Sequence, residues 1–348
     1  MFGIQSLRLL TICRTAVDYA GAKILGNSAE ICAINNLRKL FFDTQFLEHG
    51  NFSDLHKIIL HIRPGNIQEE LKRSTASLDT VDSIGRSPLS WAAQRGEAEA
   101  VRVLIEYGAD PNNNDNTNMT PLHYAAQAKT PKCLLLLIKY GARITQQTRG
   151  WNALHYACTF HDDLAYVKPL LDCGADIDKR TYVGKTALSL AIVQNHLRSA
   201  AFLIRTGADL DVLDNEGQSP LALSIKFSRF ESMKLLLRSG ATHNPLSEGD
   251  ETLLQLVAKF PDIKIIEYLS DFDLGDVDLD ARNKDNLTAR ELIQIHNSDP
   301  NTALAFQKLV TRVAGKMDTD VERIPNFSAQ DVWDSDSTTE IFEDAVEQ

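Results

Sequence analysis

The segment Thr120–Ala126, which reads TPLHYAA, decides the fold. The threonine hydroxyl can cap a helix, and a proline at the first helical position loses no needed N–H. The paired alanines are small enough to let a neighbouring helix approach closely. The segment therefore predicts the beginning of a short helix that packs against other helices.

Equivalent segments recur at intervals of 32 to 34 residues. Their capping residues are Ser87, Thr120, Asn152, Thr186, Ser219 and Thr252. A leucine column that begins at Leu104 and a Gly-Ala column that begins at Gly108 keep an interval of 33. A repeat of this length predicts stacked helical units that bury a shared core, each second helix ending at a left-handed glycine.

A further column, not used to set this register, tests it. Two residues before each capping residue stands one that tolerates positive φ, as the predicted hairpin turn requires. A bulky side chain there would cost about 1–2 kcal/mol. The column is Gly85, Asn118, Gly150, Gly184, Gly217, Asp250 and, before a weaker copy at Thr288, Asn286.

These motifs resemble the ankyrin repeat, with its T-P-L-H-x-A helix start and its Gly-Ala end, over residues 51 to about 297. The resemblance implies an all-α ankyrin-repeat solenoid of helix-turn-helix repeats with short β-hairpin-like turns. The run DLHKIIL, followed by STASLDTVDSIGRSPLSWAAQRG, looks like fungal multi-repeat ankyrin proteins.

Three regions follow from this pattern. Residues 1–50 are a helical segment of unknown role, and residues 51–315 are an ankyrin domain of about seven repeats with a C-terminal cap. Residues 316–348 are an acidic tail for which we predict no fixed structure. The alternative is that Val332-Trp333 and Ile341-Phe342 within the tail form a docking motif.

Charge and composition exclude several classes of function. The net charge is −11, but residues 1–316 hold 37 acidic and 35 basic side chains, so the body gives no electrostatic reason to bind nucleic acid or a membrane. The longest apolar run, Cys133–Ile138, is too short to span a bilayer. Five cysteines without a CxxC pair and the lack of a secretory signal predict a cytoplasmic, or alternatively nuclear, protein.

No motif indicates catalysis. The segment Tyr182–Thr186 imitates the end of a P-loop, but Lys179 stands where its first glycine would be. His123 and His155 occupy the histidine position of T-P-L-H, and the ankyrin resemblance implies that they bridge adjacent turns. The sequence therefore predicts a protein that is not an enzyme and has no cofactor, no metal and no small-molecule substrate.

The third repeat is irregular. Its turn is one residue short, its interhelix loop is longer, and Pro169 falls inside its second helix. Because proline removes a backbone bond and clashes with the preceding turn, we expect a distorted helix near Tyr166–Lys168 and a locally weak repeat.

The ankyrin resemblance also implies where a partner binds, namely the turn tips and the exposed end of each first helix. Core packing does not demand aromatic residues there, so we expect an exposed aromatic and basic surface, with some rings folding back between repeats. The predicted partner-binding residues are Arg86, Arg95, Met119, Trp151, Phe160, Tyr182, Lys185, Lys226, Phe227 and Phe260.

This pattern favours a monomeric scaffold or adaptor that binds a protein partner on its concave or turn-tip face. The alternative is that the chain is the recognition or regulatory portion of a larger enzyme or receptor, truncated at its N-terminus.

Overall fold

A computed structural model describes residues 50–242, 251–274, 277–296 and 299–317. The predictions for residues 1–49, for Asp250 and for the acidic tail after 317 lie outside the described residues. The chain divides into two compact units, residues 1–183 and 184–348. The described part is helical, with a single antiparallel bridge between Thr148 and Trp151 and no strand.

The first unit contains four helix pairs among its described residues. First helices contact first helices of the next pair, and second helices contact second helices, as a stack of repeats requires. The helices are α1 (Asp54–Ile59), α2 (Ile67–Arg73), α3 (Pro88–Arg95), α4 (Ala98–Glu106), α5 (Pro121–Ala125), α6 (Lys132–Lys139), α7 (Ala153–Phe160) and α8 (Leu164–Asp172).

The second unit repeats this arrangement over its described residues and ends in a longer helix. Here too, helices of the same kind pack between neighbouring pairs. The helices are α9 (Ala187–Gln194), α10 (Leu197–Arg205), α11 (Pro220–Lys226), α12 (Phe230–Arg238), α13 (Leu253–Lys259), α14 (Ile263–Asp271), α15 (Ala289–His296) and α16 (Pro300–Met317).

The first helices begin at the predicted caps. The Ser87 hydroxyl accepts the Ser90 N–H at 3.2 Å, and the Ser219 hydroxyl accepts the Ala222 N–H at 3.1 Å. Each bond satisfies one N–H that the start of a helix leaves without a partner. The leucine column is buried in both units: Leu104, Leu137, Leu170, Leu203, Leu236 and Leu269 are at most 1% exposed. The register read from the repeats is therefore confirmed.

The predicted positive-φ column is confirmed wherever it is described, with values from 61° at Asn286 to 82° at Gly85. Gly150 is under a second constraint. A Cβ added there would lie 2.8 Å from the backbone nitrogen of Tyr182, so this turn stacks tightly on the next one.

Helix α8 runs without a break from Leu164 to Asp172, with Pro169 inside it. Tyr166 and Val167, where we expected distortion, are buried at 2% and 0% exposure. Side-chain packing on both sides of the proline thus holds the helix together despite the lost backbone bond. The local weakness of this repeat stays a prediction.

Candidate functional site

A column of buried polar side chains organises the turns. Five residues before the helix caps, Asp82, Asp115 and Asp214 are 3–6% exposed. Asp214 Oδ1 accepts the backbone N–H groups of Glu216 at 2.9 Å and Gln218 at 3.0 Å, and the other two accept equivalent bonds. We did not single out this column from the sequence, although its spacing from the caps is a readable signal.

Three histidines join neighbouring turns in the first unit. His56, His123 and His155 place Nε2 at 2.9, 3.1 and 2.8 Å from the carbonyls of Arg86, Gln146 and Lys179. Because Nδ1 accepts the backbone N–H of the helix cap, Nε2 must carry the proton and donate it. The predicted bridging role of His123 and His155 is therefore confirmed.

These imidazoles are held neutral. Burial lowers the pKa of His123 and of His155 to about 4, against the opposing effect of their hydrogen bonds to the carbonyls of Gln146 and Lys179 respectively. Burial also lowers the pKa of His56. Both ring nitrogens of each histidine are occupied by backbone or cap bonds, so these residues are engaged in structure.

Three of the predicted partner-binding residues are buried, and our expectation that they would be exposed was wrong. Met119 is 8% exposed, Trp151 4% and Lys185 7%. Each immediately precedes a helix cap, the position from which a side chain packs against the fourth helical residue. The Trp151 ring lies 5.1 Å from that residue, Tyr156. The Lys185 ammonium binds Asp214 at 2.7 Å, where both side chains are buried.

Arg86 occupies the same position and is mostly engaged. Its guanidinium lies 4.8 Å above the Trp91 ring and 4.4 Å above the Tyr124 ring, and it donates to Gln94 at 3.0 Å. Its Nε is 3.8 Å from Asp115, and the side chain is only 19% exposed. Arg86 therefore stabilises the junction of two repeats, and only a small part of its side chain is accessible to a partner.

The remaining six predicted residues reach solvent. Tyr182 is 48% exposed on a turn tip of the first unit. In the same unit, Arg95 and Phe160 are the last residues of α3 and α7. In the second unit, Lys226 ends α11, while Phe227 and Phe260 follow α11 and α13 and are half-buried. Since α11 and α13 pack together, the two phenylalanines belong to adjacent repeats of one face.

The described residues hold no group of three or more His, Cys, Asp or Glu side chains placed to bind a metal. Their helices include none long and apolar enough to cross a membrane. Burial raises the pKa of Cys133 to about 12 and that of Cys158 further, so both thiols stay protonated and unreactive.

Comparison with known proteins identifies the family. The model of "Ankyrin repeats" matches three times, over residues 48–148, 117–181 and 154–247, which together cover more than half of the chain. The chain belongs to the ankyrin-repeat family, and the predicted all-α ankyrin-repeat solenoid is the correct fold class.

Two solved structures share this fold. The human ASB11 ankyrin repeat domain has a TM-score of 0.56 and 25% identity, covering 69% of this chain and 100% of that one. The ankyrin repeat domain of Bcl-3, described as a unique member of the IkappaB protein family, has a TM-score of 0.54 and 25% identity. It covers 64% of this chain and 99% of the other.

Two curated relatives match shorter stretches. Mouse protein phosphatase 1 regulatory subunit 27 is 36% identical over 137 residues, 39% of this chain and 61% of the relative. The human DNA-binding protein RFXANK is 35% identical over 57 residues, 16% of this chain and 22% of the relative. The chain thus spans less than two thirds of the length of either relative.

Proposed function

We propose that this chain is a scaffold or adaptor that binds a protein partner through its turn tips and the ends of its first helices. One observation carries the proposal. Tyr182, Phe227 and Phe260 present aromatic surface to solvent at positions that the core does not use. Partly exposed aromatic residues beside basic ones have the composition of protein-interaction hot spots.

The hydrogen bonds of the buried polar side chains support a role in binding without catalysis. The buried histidines described above use their hydrogen bonds to join neighbouring turns, and the buried aspartates use theirs to order single turns. Ankyrin repeats act as interaction modules, and each neighbour reported above is named for a repeat domain, a regulatory subunit or a DNA-binding protein. We propose accordingly that the chain needs no cofactor and no small-molecule substrate.

We also propose a monomer in the cytoplasm or nucleus that binds neither nucleic acid nor membrane. The balanced charge of residues 1–316 supports this proposal, because nucleic acid and anionic lipid select for a basic surface. A fungal source, suggested by the resemblance above, stays a prediction, since the two curated relatives reported above are a human and a mouse protein.

A second candidate is the recognition or regulatory portion of a larger enzyme. The similarity to a phosphatase regulatory subunit over 137 residues favours this reading. An ankyrin module that delivers an enzyme to its substrate would use the same surface. Isolation of a stoichiometric enzyme partner would distinguish this role from that of a passive scaffold.

The test is crosslinking mass spectrometry of the native complex, followed by capture with variants. We expect Tyr182→Ala combined with Phe227→Ala to reduce capture of the crosslinked partner at least tenfold while the protein stays folded. The control is Leu135→Ala, which removes an exposed apolar side chain, 43% accessible, from second helix α6. Full capture by a folded double variant would place the binding surface elsewhere.

A further inference from the structure

The loops between paired helices, taken with the helix ends beside them, differ in charge between the two units. In the second unit, segments 193–198, 226–231 and 259–264 contain five basic and two acidic side chains, although the whole chain has a net charge of −11. The equivalent segments of the first unit, 94–99, 127–132 and 160–165, contain three basic and four acidic side chains. We call the three segments of the second unit the basic loop face.

A Lys-Phe pair occurs twice on this face, one repeat apart. Lys226 Nζ lies 5.9 Å from the ring centre of Phe227, and Lys259 Nζ lies 5.9 Å from that of Phe260. Each ammonium is at the outer limit of a cation–π contact, so a positive charge sits at the rim of a half-buried ring.

The two ammonium groups are held in place by residues eight to ten positions earlier. Lys226 donates to Gln218 at 3.1 Å and lies 3.4 Å from the exposed Glu216, and Lys259 donates to Glu251 at 2.9 Å. Both lysines remain partly exposed, 26% and 36%. Fixing these flexible side chains in advance lowers the entropy that a partner must remove on binding.

Arg229 adds a third fixed charge between the two pairs. Its Nε and Nη2 donate to the Val193 carbonyl at 3.1 and 2.8 Å, which leaves Nη1 free to donate elsewhere. Among the described residues, no carboxylate lies within ion-pair distance of this guanidinium, and desolvation lowers its pKa. A half-buried cation bonded only to a neutral carbonyl attracts an external anion.

We propose that the basic loop face binds an extended acidic segment of a partner protein in which carboxylates alternate with bulky apolar side chains. The apolar side chains contact Phe227 and Phe260, and the carboxylates pair with Lys226, Lys259 and Arg229. This inference rests on the proposed function and adds the chemistry of the partner. Complementary charge in such an interface governs selectivity and the rate of association.

The experiment is a selection of random 16-residue peptides displayed on phage against the full chain. Peptides rich in Asp, Glu, Phe, Trp and Leu are expected to be enriched. The most enriched peptide should bind Lys226→Gln/Lys259→Gln at least tenfold more weakly than the unmodified chain, and its affinity should fall as salt rises. The matched control is Lys129→Gln/Lys132→Gln, which makes the same charge change in the first unit, at an interhelix loop and the first residue of the helix that follows it.

A second variant, Phe227→Ala/Phe260→Ala, tests the apolar contribution once its melting temperature shows that it is folded. Enrichment of uncharged or basic peptides, or equal loss of binding in both lysine variants, would overturn the acidic-partner inference. The proposed function would survive either result, because crosslinks of the native partner to Tyr182 or Arg95 would still support it. Retained affinity in the Lys226/Lys259 variant would also overturn the inference, because it would show that the peptide binds outside the basic loop face.

Discussion

The turns of the first unit and those of the second are joined by different side chains at equivalent positions. In the first unit, His56, His123 and His155 bridge to the next turn, and Ser90 occupies the fourth equivalent position. The equivalent positions in the second unit are Ser189, Ala222, Gln255 and Glu291. Of these, Gln255 reproduces the bridge, since it accepts the Thr252 N–H at 2.8 Å and donates to the Ala281 carbonyl at 2.7 Å.

The residue four positions after a helix cap explains why Arg86 and Lys185, which precede earlier caps, make different contacts. The Oδ2 atom of Asp115 is occupied by the hydroxyl of Tyr124, so Arg86 stays 3.8 Å away and stacks on aromatic rings. Leu223 replaces that tyrosine beside Asp214. Asp214 Oδ2 is therefore open to Lys185, which binds it at 2.7 Å. The same repeat position thus makes an aromatic junction in one unit and an ion pair in the other.

The largest effects should come from buried residues that immediately precede a helix cap. Lys185→Ala should lower the free energy of unfolding of the second unit by about 3–5 kcal/mol, because Asp214 is left buried without its cation. Denaturation with urea measures this loss. Lys185→Met combined with Asp214→Asn should recover part of it, since the turn keeps its acceptor and the buried charge is gone. A loss below about 1 kcal/mol for Lys185→Ala would show that the pair is dispensable.

In the first unit, Trp151→Ala should cost about 3–5 kcal/mol, the usual effect of removing a buried large aromatic side chain. Tyr182→Ala is the control from the neighbouring turn and should change stability by less than about 1 kcal/mol, because that residue is 48% exposed. Comparable losses from the two variants would contradict the burial that separates them.

Acid should destabilise the first unit selectively. The pKa of His123 and of His155 is about 4 in the fold and 6.5 when unfolded, so the unfolded chain binds protons first as pH falls. Stability should be flat above about pH 7 and fall between pH 6.5 and 4, by up to about 3 kcal/mol per histidine.

Hydrogen exchange measured on residues 50–183 and 184–317 against pH tests this difference between the units. His123→Gln/His155→Gln, which copies the residue that the chain itself uses at 255, should flatten the acid dependence of the first unit. An equal acid response in both units, or a double variant with unchanged pH dependence, would refute the assignment to these histidines.

The smallest effect concerns Pro169. Because α8 lacks one backbone bond, its amides should exchange about tenfold faster than those of α6 in the same unit, which corresponds to about 1.4 kcal/mol. Pro169→Ala should remove this difference. If the amides of α8 and α6 are equally protected, side-chain packing around Tyr166 and Val167 compensates fully for the proline.

The sequence by itself determined the repeat register, the helix starts at residues such as Ser87 and Ser219, and the turn positions that need positive φ. Each of these depends on one residue and its immediate neighbours along the chain, so the pattern of residue types is sufficient to read them. The bridging role of His123 and His155 was also readable, because both occupy the histidine position of the ankyrin T-P-L-H motif.

Only the tertiary structure decided which residues of the predicted surface are exposed. Met119, Trp151 and Lys185 were assigned to the surface because the turn tips of a repeat face solvent. Their burial depends on the fourth residue of the following helix and on the next turn, about 30 positions away. Lys185 pairs inward because of a residue in the neighbouring repeat. Leu223 lies at the position where a tyrosine would bind the Asp214 carboxylate, so the Oδ2 atom of Asp214 is open to the lysine ammonium.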